Sequence, residues 1–420
     1  MDEELLSNKI IKIYEPYLSI YPEYNRIFNE LINNIIYKEN EASLSIHYKL
    51  FYGFMASSTI GCENLLDDFI RIFLILGGDK SWIEQGLECE SIPEHIRGMA
   101  KINNILAHKP WVMDWRNFAP FKKGLSVFFF QSAIILTTIQ RFASIISSLN
   151  LLIHNDKIKE EKKNETNKKT ETETEKEKNE KKKKDSISIK IKEEKKGDYK
   201  EKKDEVKKKN KKEKHDQHIL KVITSVKKNY EENKEDQEEG EKTILINKKE
   251  IFQKYMSLLI VSYTDFKPHI EQFLTTDDFN WETNAKYFFS DYAGKEMDYL
   301  NTEFKNLENL SSKDIQDDVK INIFNLREAI EKYLTLIFGI KNEDYNYHNN
   351  NLTMSVELKT IIKKIACYPE LIKEQELNNC LEILNKKELV YLILIVTSIK
   401  QKISLTFFAK AFDDFTSNNS

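Results

Sequence analysis

Residues 155–245 carry 30 Lys against 25 Asp and Glu, with only Tyr199 and Tyr230 as aromatics. Such a stretch cannot bury enough apolar surface to hold a fold, so it reads as a flexible charged insertion. It divides the chain into two regions with sustained apolar content, 1–154 and 246–420. Each is large enough to bury a core of its own. The insertion has a net charge of +5 within a chain total of -3, leaving the folded remainder at -8. A mildly acidic surface is unsuited to gripping phosphate backbones, so no nucleic-acid partner is expected. The four cysteines, Cys62, Cys89, Cys367 and Cys380, show no close ligand spacing. That pattern argues against a metal site or a disulfide scaffold and suits a reducing compartment.

The apolar spacing on both sides of the insertion is helical. Pro22 opens a helix carrying Tyr24, Ile27, Phe28, Leu31, Ile35 and Ile36, and a further helix runs over Ile46–Ser57. Leu65, Phe69, Ile72, Phe73 and Leu76 form one helical face that stops at Gly77-Gly78. Helices are also predicted for residues 94–106, 125–153, 251–262, 287–304, 326–338 and 387–412. The last carries Leu389, Ile393, Val396, Ile403, Phe407 and Ala411 on one stripe. No alternating strand pattern with hairpin turns is present, so the fold class is all-α. Residues 125–139 are strongly apolar, but about 15 residues fall short of the roughly 20 that span a bilayer. A buried helix is the expectation there, with no membrane insertion. The acidic start MDEELLSNK lacks the order of a signal peptide. A cytoplasmic location is expected, with a nuclear one left open by Lys181–Lys184.

Several strings in the chain then stand out: HYKLFYGFMA, GGDKSW and LAHKPW in the first region, and SYTDF, DDFNW, LREAIEKYLTLIFGIKNEDYNY and KKIACYPE in the second. In these the chain resembles the sestrins, stress-response proteins that also have a poorly ordered linker. The resemblance implies two helical domains related to the carboxymuconolactone decarboxylase and alkylhydroperoxidase core. It also implies an N-terminal domain that can reduce alkyl hydroperoxides through a cysteine. The implied C-terminal domain binds leucine and docks on a GATOR subcomplex, restraining TOR complex 1.

Carried over residue by residue, the resemblance places the peroxide-reducing cysteine at Cys62, with the same distance to Gly77-Gly78. The tyrosine and histidine that assist it are Asn64 and Phe69 here. A thiol of ordinary pKa about 8.5 is mostly protonated at pH 7 and needs a base or positive charge to attack peroxide. His47 and His108 are the nearby histidines in sequence, and His108 is expected to hydrogen-bond to backbone at a helix end. In the second region, Arg327 and Glu388 fall at the family's leucine-binding positions. A guanidinium fork suits a carboxylate and a carboxylate suits an ammonium, the two ends of a free amino acid. Three threonines that close over the family's ligand align with Leu307, Leu310 and Ile323, and a tryptophan aligns with Leu381. Glu343 and Asp344 match the acidic pair that sestrins present to the GATOR subcomplex. The resulting expectation is an amino-acid sensor of the TOR complex 1 pathway that needs no cofactor. A Cys62 thiol peroxidase, or a scaffold that has lost both sites, is the alternative.

Overall fold

The computed structural model describes residues 14–38, 44–121, 124–153, 274–275, 278–310, 323–341 and 354–419. The charged segment, the helix expected at 251–262 and the Glu343-Asp344 turn lie outside these residues. The described part is all-helical apart from a two-residue parallel bridge, Leu274–Thr275 with Ile340–Lys341.

The first helix, α1 (Pro22–Ile32), has Pro at its start, where a missing N–H costs nothing, and continues through a π turn at Asn33–Tyr37. Helix α2 (Ile46–Ile60) stops at Gly61, whose φ of 76° is in the left-handed region. Helix α3 (Glu63–Ile75) lies so close to α2 that a Cβ on Gly53 would sit 2.3 Å from the Phe69 ring. Helices α4 (Lys80–Gln85), α5 (Glu94–His108) and α6 (Ser126–Ile153) complete the first region.

After the insertion come α7 (Lys286–Tyr292) and α8 (Gly294–Asn309), expected as one helix and broken at Ala293, whose ψ is 46°. Gly294 beside it is the sequence signal for that break. Helices α9 (Ile323–Ile337), α10 (Val356–Cys367), α11 (Glu374–Ile383) and α12 (Lys386–Asn419) follow.

Two self-contained cores were expected; the described residues on either side of the insertion instead form one compact unit with one continuous core. Helix α1 packs on α8, and α12 touches α5, α8, α9 and α10. That is why α12 is buried beyond the expected stripe, with Val390, Tyr391, Leu392, Leu394 and Ile395 also inside. A helix apolar on every side has no solvent face and must be surrounded. Both α6 and α12 are long and apolar enough to cross a membrane, and most of each is buried within the protein.

Two polar devices fix the halves against each other. Arg141 on α6 donates to both oxygens of Glu303 on α8, at 2.5 and 2.6 Å, and both side chains are inaccessible to solvent. The same guanidinium donates to the Tyr24 hydroxyl at 3.0 Å and the Gln401 carbonyl at 3.3 Å. The second device follows from Pro110. Having no N–H, it cannot donate to the Leu106 carbonyl one turn back. Lys400 and Ser404 of α12 donate to that carbonyl instead, at 2.9 and 3.0 Å.

Removing one member of a buried, hydrogen-bonded ion pair strands the other. Arg141→Met should therefore lower unfolding free energy by about 3–5 kcal/mol in urea titrations, and Arg141→Met with Glu303→Leu should recover most of it. Equal losses in the single and double variants would show that the pair is not what couples the halves.

Candidate functional site

Cys62 is the N-cap residue of α3 and is buried. A pocket of about 260 Å³ reaches it, lined also by Asn64, Ser147 and Asn150 from the first region and by Pro369 and Glu370 from the second. Asn64 donates to the Tyr14 hydroxyl at 3.3 Å, and that hydroxyl donates to Asn150 at 2.8 Å. A phenol from a different part of the chain is therefore tied to Asn64, two residues on from Cys62. Burial pushes the Cys62 thiol up to about 11, and the Glu63 charge adds to the effect. The Leu65 N–H and the Ser147 hydroxyl pull the other way and do not prevail. Phe69 is a core residue packed on Gly53.

Neither histidine supplies a base to this thiol. His47 Nε2 lies 3.1 Å from the Leu76 carbonyl oxygen. His108 Nε2 lies 3.1 Å from the Thr59 carbonyl oxygen, and its ring stacks on Tyr368. Backbone hydrogen bonding at a helix end was the expectation for His108. Burial, reinforced by the charge of Lys400, lowers its pKa to about 4.

A second pocket, about 320 Å³, lies between α8, α9 and α12. Arg327, Glu331 and Thr335, on successive turns of α9, all line it, facing Lys402 of α12. Trp281, Leu307, Ile399 and Ile403 give it apolar walls. Its size and mixed lining are those of a small-molecule site. Arg327 donates to the Glu308 carbonyl at 2.6 Å. Its charge also opposes the upward push of burial on the Tyr391 hydroxyl.

Glu388 is not part of this lining. It is buried in the first turn of α12, where Oε2 accepts from the Asn385 N–H at 2.7 Å and its own N–H donates to Asn385 Oδ1 at 2.9 Å. That reciprocal arrangement is a capping box. Its sequence signal, Asn385 followed three residues later by Glu388, was open to inspection and went unused. Also missed were Tyr14, far from Cys62 in sequence, and Glu331, one turn on from Arg327. Leu381 is half-buried on α11, outside the Arg327 pocket, and the Ile323 side chain lies outside the described residues.

The family model described as PA26 p53-induced protein (sestrin) matches residues 1–415. Sestrin-2 of Bos taurus is 22% identical, covering 97% of this chain and 86% of its own, and Sestrin-2 of Homo sapiens is 20% identical over 97% and 85%. A sestrin homolog of Dictyostelium discoideum is 23% identical over 37% of this chain and 26% of its own. An all-helical protein with a buried helix-capping cysteine and a cation-lined pocket is thus joined to a family by nearly its whole length. The chain belongs to the sestrins.

Two measurements check this description. A thiol with pKa near 11 is ionised only about once in 10⁴ molecules at pH 7. Mass-spectrometric mapping should find Cys62 alkylated by iodoacetamide far more slowly than a free thiol, the rate still climbing above pH 10. For His108, the folded pKa of about 4 lies below the unfolded value near 6.5, so the unfolded chain binds the extra proton between them. Stability should fall as pH drops through that window, by up to about 3 kcal/mol more in wild type than in His108→Gln. Parallel urea curves at pH 7 and 4.5 would reveal it.

Proposed function

We propose that this sestrin is a regulator that works by binding rather than turnover, holding a free amino acid with an apolar side chain in the α8–α9–α12 pocket. Occupancy then alters its affinity for a GATOR-type protein complex that restrains TOR complex 1 signalling, in the cytoplasm. What supports the reading is Arg327: the family resemblance picks it out as a carboxylate holder, and its guanidinium lines a pocket with apolar walls. The docking role of Glu343 and Asp344 rests on the resemblance alone. For occupancy to act as a signal, the ligand must favour one partner-binding state over the other.

Peroxide reduction at Cys62 is the second reading. The pocket that reaches the thiol and the adjacent Tyr14 hydroxyl favour it. The raised thiol pKa and the backbone-bonded histidines weigh against it, because a nucleophile needs a positioned activator.

Calorimetry with a panel of free amino acids is the test. An apolar amino acid should bind wild type and Cys62→Ser alike, and Arg327→Ala should lose at least about tenfold in affinity. A wild type that binds none of the panel, or an Arg327→Ala variant that binds normally, would overturn the proposal.

A further inference from the structure

Helix α5 carries Arg97 and Lys101 four residues apart, so the two side chains share one face, about 6 Å apart along the axis. The turn Trp115–Asn117 holds a third cation, Arg116, and is fixed by its own cap. The Arg116 N–H donates to Asp114 Oδ1 and the Asp114 N–H donates to Asn117 Oδ1, both at 2.8 Å. All three cations line one pocket of about 520 Å³, together with a single carboxylate, Glu94. Outside the charged insertion the chain is acidic, so this cluster runs against the prevailing charge.

Each cation keeps capacity for a further acceptor. Arg97 Nη2 donates to the Ile92 carbonyl at 2.9 Å, while its Nε is buried without a partner. Among the described residues, Lys101 enters no ion pair. Arg116 meets Asp114 through Nε and Nη2, at 3.1 and 2.6 Å, and keeps Nη1. Arg116, and more weakly Lys101, holds the Asp114 carboxyl below the usual carboxylate range, so the Lys101 ammonium lies within electrostatic reach of the turn. The rest of the lining is largely apolar, with Leu87, Pro120 and Phe121 in it. A Cβ on Gly98 would sit 2.6 Å from the Phe121 ring, so the glycine lets that ring lie against α5. Phe121 is only half-buried, which leaves ring surface open to the pocket.

One guanidinium satisfies a carboxylate, whereas a phosphate monoester offers three oxygens and up to two charges and so suits several cations. A flat ring attached to it would pack on Phe121. We infer that this pocket binds a small phosphate ester bearing a flat ring, of about the size of a mononucleotide. Arg97, Lys101 and Arg116 surround the phosphate, and Phe121 supports the ring. The pocket shares no residue with the Arg327 or Cys62 pockets, so the inference stands apart from the amino-acid reading.

The test is calorimetry on the full chain with AMP, ribose 5-phosphate and adenosine. AMP should bind. Ribose 5-phosphate, which keeps the phosphate and lacks the base, should bind at least about fivefold more weakly, and adenosine more weakly still. Lys101→Glu changes an exposed side chain, so the variant is expected to fold as wild type does. It should weaken AMP and ribose 5-phosphate alike, by about tenfold or more. Phe121→Leu should bring AMP down to the level of ribose 5-phosphate and leave the latter unchanged. Arg327→Ala should bind AMP as wild type does. A wild type that does not bind AMP, AMP binding untouched by Lys101→Glu, or adenosine bound as tightly as AMP would overturn the assignment.

Discussion

The buried Arg141–Glu303 pair is the constraint on which the rest of the structure depends. Moving either ion out of water costs several kcal/mol, and only good geometry with further hydrogen bonds offsets it. The contact is bidentate, Tyr24 and Gln401 accept further guanidinium protons, and Phe28 and Phe304 lie 5.8 and 5.7 Å from the cation, with Nε alone of the guanidinium nitrogens left without an acceptor. Because Arg141 and Glu303 come from opposite sides of the charged segment, neither region can keep its own ion buried alone. The single core follows from that.

Helix α12 carries the arrangement further. Gln401 accepts from Arg141 and donates to Thr137 and Thr138, while Lys400 donates to Gln140 and to the Leu106 carbonyl. The same helix supplies Ser398, Ile399, Lys402, Ile403 and Thr406 to the Arg327 pocket. One face of α12 therefore holds the two regions together while another borders the candidate ligand. The Cys62 pocket is likewise built from both regions, through Asn150 on one side and Pro369 on the other.

Much of the fold was legible in the sequence because burial imposes a 3.6-residue period on each helix. Pro22 and Gly77 marked ends where the backbone required them. What periodicity cannot show is which apolar face meets which. Arg141 follows the apolar run 125–139 in sequence and yet is buried with its charge. At the sites, Cys62 and Arg327 were reached through the resemblance, and Phe69 correctly read as part of an apolar stripe. Tyr14 could not have been found, since only tertiary packing brings it to Asn64. Glu331 could have been, by applying to Arg327 the four-residue spacing already used for the core.

The Leu106 carbonyl, left without a local donor by Pro110 and completed by Lys400 and Ser404, bears on how such a chain is made. The donors lie nearly 300 residues downstream and the partner of Arg141 lies 162 residues downstream, so an emerging first region has neither until the second region has been made. Contacts between residues so distant in sequence form late, after a large loop has closed. Meanwhile the apolar surface of α6 waits uncovered, exposed to wrong partners. The first region thus depends on residues from beyond the charged insertion to complete both its backbone hydrogen bonding and its buried ion pair.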